Sequence, residues 1–410
     1  METHTDPGVV IVGASHAASQ LCVSLRQGGY AGSVTVIGDE AVLPYHRPPL
    51  SKDFLSGNKS LDDIFLRPES VYETADIEMK LATRVGAIDR HAKTVLTDEG
   101  ETVAYDKLVL CTGARVRRLP IAGEDLANVF YLRDSKDVLS IKSKVSAGRR
   151  AVIIGGGYIG LETAASLRQQ AMEVTVLEAM PRILQRVTAP ELSSFYKRIH
   201  REEGVDIREE VMASAIIESQ SGLSVKTSTD EDFDADIVII GIGVIPNVEL
   251  AEVAGLDIGN GIAVNEFCQT SDPEIYAAGD VTWHHNPHYD CHLRLESVPN
   301  ATEQAKTVGL HINGTEKPYD ALPWFWSDQF DLKLQIAGLS DGYDELIIRG
   351  DIKGSRSFAA YYFKDGDLLA VDAVNAPRDF MFGRQVLTKG MELDRSRLAD
   401  EVVPLKQLIL

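Results

Sequence analysis

The chain has 410 residues, 44% hydrophobic and 25% charged, with 33 glycines; this is too long for one ordinary core and predicts a folded protein of two or three domains. Its formal net charge of -20 excludes nucleic acid as a general partner, because phosphate binding requires a basic surface. No apolar run approaches the roughly 20 residues of a spanning helix, and the opening METHTDPG is polar, so a cytoplasmic protein with no signal peptide and no membrane association is expected.

In chain order, the apolar run Val9 to Val12 reads as a buried strand. It is followed by Gly13-Ala14-Ser15-His16-Ala17-Ala18, a helical stretch AASQLCVSLRQGGY, and a second strand, VTVIGDE, that closes on Asp39. This is a strand-turn-helix-strand unit of the dinucleotide-binding kind, with Ser15 where a second glycine is usual. Next comes PYHRPPLSK, Pro44 to Lys52, stiff with prolines and locally basic. A further apolar strand ends at Cys111-Thr112-Gly113.

The second unit is more regular. Ala151 to Ile154 leads into Gly155-Gly156-Gly157-Tyr158-Ile159-Gly160, then the helical LETAASLRQQAM, then Val174 to Leu177 and Glu178. Gly155, Gly157 and Gly160 satisfy G-x-G-x-x-G, and Glu178 lies 18 residues past Gly160, where a carboxylate accepts the two ribose hydroxyls of an adenosine. A carboxylate there also repels a 2'-phosphate, which favours NADH over NADPH; Arg182, four residues on, is the one neighbour suited to contact phosphate. One such motif is a weak signal, but two, each followed by a strand ending in an acid, imply two bound dinucleotides.

Beyond GIGVIPN, Gly241 to Asn247, the run Asp272 to Asp280 repeats the pattern of an apolar strand ending in a small-residue turn. From about Pro323 the runs LKLQI, ELIIR and SFAAYY predict a small antiparallel sheet with helices. The cysteines Cys22, Cys111, Cys268 and Cys291 form no close pair. A disulfide framework, a metal site and a redox dithiol are therefore not expected, and each reads as a buried thiol.

With T-G-A after Cys111 and A-x-G-D ending at Asp280, the chain resembles the two-dinucleotide-binding flavoprotein superfamily, whose first fold holds FAD and whose inserted second fold holds NAD(P)H. PYHRPPLSK stands where disulfide reductases of that superfamily keep their redox cysteines. That segment, with GGGYIGLE, GIGVIPN, TSDPEIYAAGD, LESVPNATEQA and PWFWSDQ, is similar to the putidaredoxin reductase-like ferredoxin reductases of bacterial P450 and aromatic-ring dioxygenase systems. The resemblance covers nearly the whole chain. It implies an α/β fold of two Rossmann-like domains and a C-terminal α+β domain: FAD binding by residues 1–113 and 245–322, NAD binding by 114–244, and the C-terminal domain at 323–410.

The implied reaction is hydride transfer from NADH to FAD, followed by two single-electron deliveries to a [2Fe-2S] ferredoxin serving a cytochrome P450 or another oxygenase. The resemblance places Lys52 beside the flavin, paired across a domain interface with Glu162 at the start of its helix; a surface lysine and a glutamate at a helix N-terminus are the plain alternatives. It assigns FAD to Gly13, Ala17, Ala18, Asp39, Pro48, Lys52, Val85, Thr112, Gly113, Arg133, Asp280 and Val298. NADH falls to Gly155, Gly157, Ile159, Gly160, Glu178, Gly243 and, from the aromatic trio Trp324 to Trp326, Trp326. Val85 also reads as an ordinary core valine, Asp280 as a helix N-cap, and the trio as a core block. Arg294, Lys333, Arg349 and Lys353 are candidates for a cationic patch that docks an acidic ferredoxin. A rubredoxin reductase or the reductase of an aromatic-ring dioxygenase shares these motifs; the acidic charge counts against an interaction protein like apoptosis-inducing factor.

Overall fold

The structure is a computed structural model that describes residues 7–220 and 222–410; the first six residues of the polar opening lie outside them. The chain divides into two compact units, one of residues 1–46, 61–115 and 245–323, the other of 47–60, 116–244 and 324–410.

In the first unit, β1 (Gly8–Val12) carries five consecutive buried residues, as a strand covered on both faces must. It pairs in parallel with β2 (Val34–Ile37), and β2 pairs with β3 (Ile77–Lys80). On its other side β1 pairs with the C-terminal half of the long strand Thr102–Leu110, which in turn pairs in parallel with Ile275–Ala277. Val9 and Ile11 face the helix α1 (His16–Gln27), which packs with the helix Val298–Ile312 through Leu21, Leu25, Ala305 and Val308. Val10 and Val12 face the opposite layer with Leu108, Leu110 and Ile262. The α1 helix stops at Gln27, short of the expected GGY, because Gly29 turns the chain at φ +91°.

In the second unit, five parallel strands run in the order Val205–Glu209, Glu173–Glu178, Arg150–Ile154, Ile237–Ile240, Val129–Tyr131. The helix Tyr158–Gln169 follows the glycine turn, and Pro at the first position starts the helix Pro190–Glu202. The chain's tail forms a five-stranded antiparallel sheet, ordered Trp324–Gln329, Leu332–Gly338, Asp367–Val374, Phe358–Lys364, Glu345–Gly350, backed by the helix Pro377–Lys389. The segment 47–60 folds as a short 3-10 turn, Pro48–Ser51, and a helical turn, Asp53–Ser56, anchored by buried Leu50, Phe54 and Leu55. No described helix is long and apolar enough to cross a membrane.

Three of the four cysteines are buried, and burial pushes the Cys22 thiol up to about 12. Cys291 departs from expectation and is exposed; it lies on Cys291–Leu293, the outermost strand of a small four-stranded sheet.

Buried His284 connects folding to pH in the first unit. Its Nδ1 accepts from Gln304 Nε2 at 3.2 Å, and Gln304 Oε1 accepts the Gly279 N–H at 2.8 Å and the Thr282 hydroxyl at 3.0 Å. Burial holds the imidazole down at about 4, from 6.5. A lowered histidine favours the neutral folded form, so its contribution is complete above pH 6.5 and is lost as pH falls toward 4, in total about 3 kcal/mol. Unfolding of the first unit, followed between pH 7.5 and 4.5, is expected to show this loss, and His284→Gln to flatten it. An equal acid sensitivity in the variant would assign the effect to other groups.

Candidate cofactor sites

The first unit gathers small and polar residues where its parallel strands end. Gly13, at φ +106°, lies so close to the next strand that an added Cβ would stand 2.1 Å from the Cys111 carbonyl oxygen. Only glycine fits there. Ser15 caps α1 with extended backbone, and Ala17 and Ala18 are buried in its first turn. Asp39, exposed, follows the end of β2. Val85 is buried in a strand start beside Thr83, whose N–H donates to Gly38 O at 2.9 Å. Thr112 and Asn247 bond reciprocally, hydroxyl to Asn247 O and Asn247 Nδ2 to Thr112 O, each at 2.8 Å, and Gly113 O accepts the Asn247 N–H. Asp280 follows Gly279, and Val298 opens the helix Val298–Ile312 after the Ser297 cap. The signal for Asn247 was the close of GIGVIPN, and that for Gln304, which ties down the Gly279 turn, was its place in LESVPNATEQA.

The second unit contains the residues expected to bind NADH. Gly155, at φ +114°, would place a Cβ 2.3 Å from Gly241 O, and a Cβ on Gly160 would stand 2.1 Å from Gly155 O. Both serve internal packing. Gly157 is different, for a Cβ there meets nothing within 4 Å. Its open face, at the N-terminus of a 12-residue helix, suits the close approach of a pyrophosphate. Ile159 is exposed beside it, and Gly243 sits at φ +101° beyond the neighbouring strand. Glu178 Oε2 accepts the Gly156 N–H at 2.7 Å and Oε1 the Met180 N–H at 2.8 Å. The carboxylate thus braces the glycine turn, and its remaining lone pairs are free for hydroxyl donors.

Arg182 has another task than the one considered for it. Its guanidinium donates to Thr188 O, Ser193 Oγ and Gln185 O at 2.8, 2.6 and 3.0 Å. It binds together the loop before the helix Pro190–Glu202 rather than a phosphate. In the aromatic trio, Trp324 and Trp326 share one face of their strand, with ring centroids 5.5 Å apart. Phe325 points to the other face and packs on Tyr158, at 5.0 Å, in the helix that follows the glycine turn. All three are half-buried, Trp326 included.

Lys52, Pro48, Arg133 and Glu162 also belong to the second unit. Glu162 lies one turn into its helix rather than at the start, and is only 4% exposed. Lys52 Nζ stands 2.7 Å from Glu162 Oε2 and also reaches Pro48 O at 3.3 Å. Both residues fall in one compact unit, where the prolines of Pro48-Pro49 and the buried Leu50 and Phe54 seat the segment beside the helix. Ser166 Oγ donates to Ser51 O at 2.6 Å, and Arg47 Nη1 to Arg133 O at 2.9 Å, which fix the segment at two further points. Ser51 and Ser327 also donate to Glu162, both at 2.6 Å. Both serines lay within quoted motifs, PYHRPPLSK and PWFWSDQ, but a lone serine carries no sign of its partner.

Residues 7–305 match the family described as pyridine nucleotide-disulphide oxidoreductase, and 324–409 the one described as reductase C-terminal. The chain belongs to the pyridine nucleotide-disulphide oxidoreductase family. This oxidoreductase is 42% identical to the putidaredoxin reductase CamA of Pseudomonas putida, over 99% of its own length and 97% of that protein's. The structure of a covalent putidaredoxin reductase–putidaredoxin complex matches with a TM-score of 0.95 and 41% identity, covering 99% of this chain and 98% of the other. The ferredoxin reductase for the CYP199A2 system of Rhodopseudomonas palustris matches with a TM-score of 0.95 and 40% identity, covering 98% and 99%.

The family's disulphide chemistry has no counterpart here, since PYHRPPLSK holds no cysteine and all four thiols are free. Of the four surface cations considered for docking, Arg349 is removed. It is buried, donates to Leu398 O, Asp400 O, Glu401 O and Val403 O, and pairs with Asp379, thereby holding the C-terminal segment in place. Arg294 is half-buried, bound to Asp280 O and Glu296. Lys333 and Lys353 are exposed.

Replacing Glu178 tests its two tasks together. Glu178→Ala is expected to bring NADH and NADPH use closer to parity and to loosen the glycine turn by about 1.5–3 kcal/mol, the scale of hydrogen bonds to a charged group. Steady-state kinetics with both nucleotides check the first, and hydrogen exchange at the Gly156 amide the second. An unchanged nucleotide preference would remove Glu178 from ribose recognition.

Proposed function

We propose that this chain is an NADH-dependent ferredoxin reductase whose [2Fe-2S] ferredoxin serves a cytochrome P450. The observation that carries the reading is the Lys52–Glu162 pair, set in a proline-stiffened segment that has no thiol. FAD supplies the necessary adapter, taking electrons from NADH as a pair and releasing them one at a time.

The chain's own residues supply position and charge. In the first unit, Gly13, Ala17 and Ala18 admit the FAD pyrophosphate, Asp39 takes its adenosine ribose, and Asp280 its ribityl chain; Val85, Thr112, Gly113 and Val298 complete that set. In the second unit, Gly155, Gly157, Ile159 and Gly160 admit the NADH pyrophosphate, Glu178 takes its ribose, and Gly243 and Trp326 serve the nicotinamide. Lys52 is the positive charge that favours reduced FAD, Pro48 abuts the flavin ring, and Arg133 joins the FAD set. The engagement of Arg182 with its own loop supports NADH over NADPH. In domain terms we assign FAD to 1–113 and 245–322, NADH to 114–244, and a separate C-terminal role to 323–410. The similarity to the reductase for the CYP199A2 system agrees with a P450 as the terminal oxygenase. Four free thiols agree with a reducing, cytoplasmic location.

The purified protein is expected to be yellow, to bleach rapidly with NADH, and then to reduce a [2Fe-2S] ferredoxin faster than a rubredoxin. Absence of flavin would overturn the reading, whereas bleaching without reduction of any ferredoxin would overturn the partner alone. Lys52→Met is expected to slow flavin reduction by about tenfold or more, on the scale of a displaced electrostatic group. An unchanged rapid-mixing rate would show that this charge plays no part.

A further inference from the structure

Behind Glu162 lies a buried polar chain to which no cofactor-binding role has been assigned. Ser327 and Gln329 share one face of the strand Trp324–Gln329, each 1% exposed, and His200, near the end of the helix Pro190–Glu202, is fully buried. Ser327 Oγ lies 2.6 Å from Glu162 Oε1, Gln329 Nε2 lies 3.1 Å from Ser327 Oγ, and Gln329 Oε1 lies 2.8 Å from His200 Nε2.

Valence fixes the direction of every bond. Oε2 of Glu162 already takes the Lys52 ammonium and the Ser51 hydroxyl, so the group behaves as a carboxylate that only accepts, and Ser327 must give it its single proton. Ser327 can then only accept from Gln329, which turns the Gln329 amide nitrogen toward it and the carbonyl oxygen toward His200. His200 must therefore carry its proton on Nε2. That leaves Nδ1 buried without a protein hydrogen-bond partner, an arrangement that carries a cost. The Phe330 ring, 5.1 Å away and edge-on, holds the imidazole in this orientation. Apolar side chains would fill the same space without that cost. Each member instead turns a donor toward Glu162.

We propose that Ser327, Gln329 and His200 are positioning residues that act through Glu162 to hold the Lys52 ammonium in one place. The consequence for catalysis rests on the reading of Lys52 given above; the mechanical part, an immobilised lysine, does not. With Oε1 held by Ser327, the carboxylate cannot swing, and Oε2 stays presented to Lys52.

The test uses the flavin-loaded protein and two readouts. Acylation of Lys52 by a small anhydride, followed by mass spectrometry, reports how firmly the amine is held; rapid mixing with NADH reports hydride transfer. Ser327→Ala and Gln329→Leu are expected to raise Lys52 labelling about threefold or more and to slow flavin reduction roughly three- to tenfold, with the KM for ferredoxin unmoved. Ser327→Thr, which keeps the hydroxyl, is expected to restore both. His200→Phe, filling the space without the donor, is expected to resemble Gln329→Leu. Wild-type labelling in folded, flavin-containing Ser327→Ala would overturn the proposal. Raised labelling with unchanged hydride transfer, together with a silent Lys52→Met, would uphold the positioning chain and overturn the role given to Lys52.

Discussion

A half-buried lysine paired with a buried glutamate is the constraint around which the second unit is arranged. A buried ion pair repays its desolvation only when its remaining hydrogen-bonding capacity is met, and here three segments of the chain contribute to the cluster. Ser51 comes from the same turn as Lys52, Ser327 from the C-terminal sheet, and Glu162 from the helix after the glycine turn. The pair therefore joins three segments distant in sequence, and each must be in place before the charges are satisfied. Removing Lys52 leaves Glu162 charged and buried, a change that typically costs about 3–5 kcal/mol; Lys52 itself is half-buried. This explains why the segment 47–60 leaves its chain neighbours to fold with the second unit. Prolines at 48 and 49 lower the entropy cost of holding it there.

The two glycine turns meet a shared requirement differently. In both, the first glycine adopts a positive φ and lies against the carbonyl of an adjacent strand end, Cys111 or Gly241. They diverge at the next motif position. Gly157 is open to space in one, while Ser15 occupies that position in the other, with the extended backbone of a helix N-cap. A serine is tolerated there because the cap position asks for no positive φ; its φ is -134°. The requirement is small bulk, not unusual backbone geometry.

Much of the fold was legible in the sequence, and the reason is local. Buried parallel strands announce themselves as unbroken runs such as VVIV and AVII, and a positive φ admits little but glycine. The α/β class, the two Rossmann-like folds and the antiparallel tail all followed from such patterns. What escaped depended on tertiary partners. Arg182 and Arg349 read as available cations, yet each guanidinium is consumed by backbone carbonyls of a neighbouring loop. Cys291 read as buried, yet the edge of a small sheet exposes it. Nothing in SDQ says that its serine and glutamine face a glutamate and a histidine well over a hundred residues earlier.

Charge imposes the last constraint. At physiological salt the screening length is about 8 Å, so for a chain of net charge -20 the charges at a contact matter more than a distant excess of carboxylates. Many of the cations in the C-terminal unit are not available for this. Arg349 is spent internally, Arg356 on Asp331 and Glu203, and Arg395 on Glu345. Lys333, exposed on the strand Leu332–Gly338, bonds Asn375 through its backbone, donating its N–H to Oδ1 and accepting the Asn375 N–H at its carbonyl. A docking face built from such unspent lysines would be weak and readily reversed, as a carrier that must leave after each electron requires.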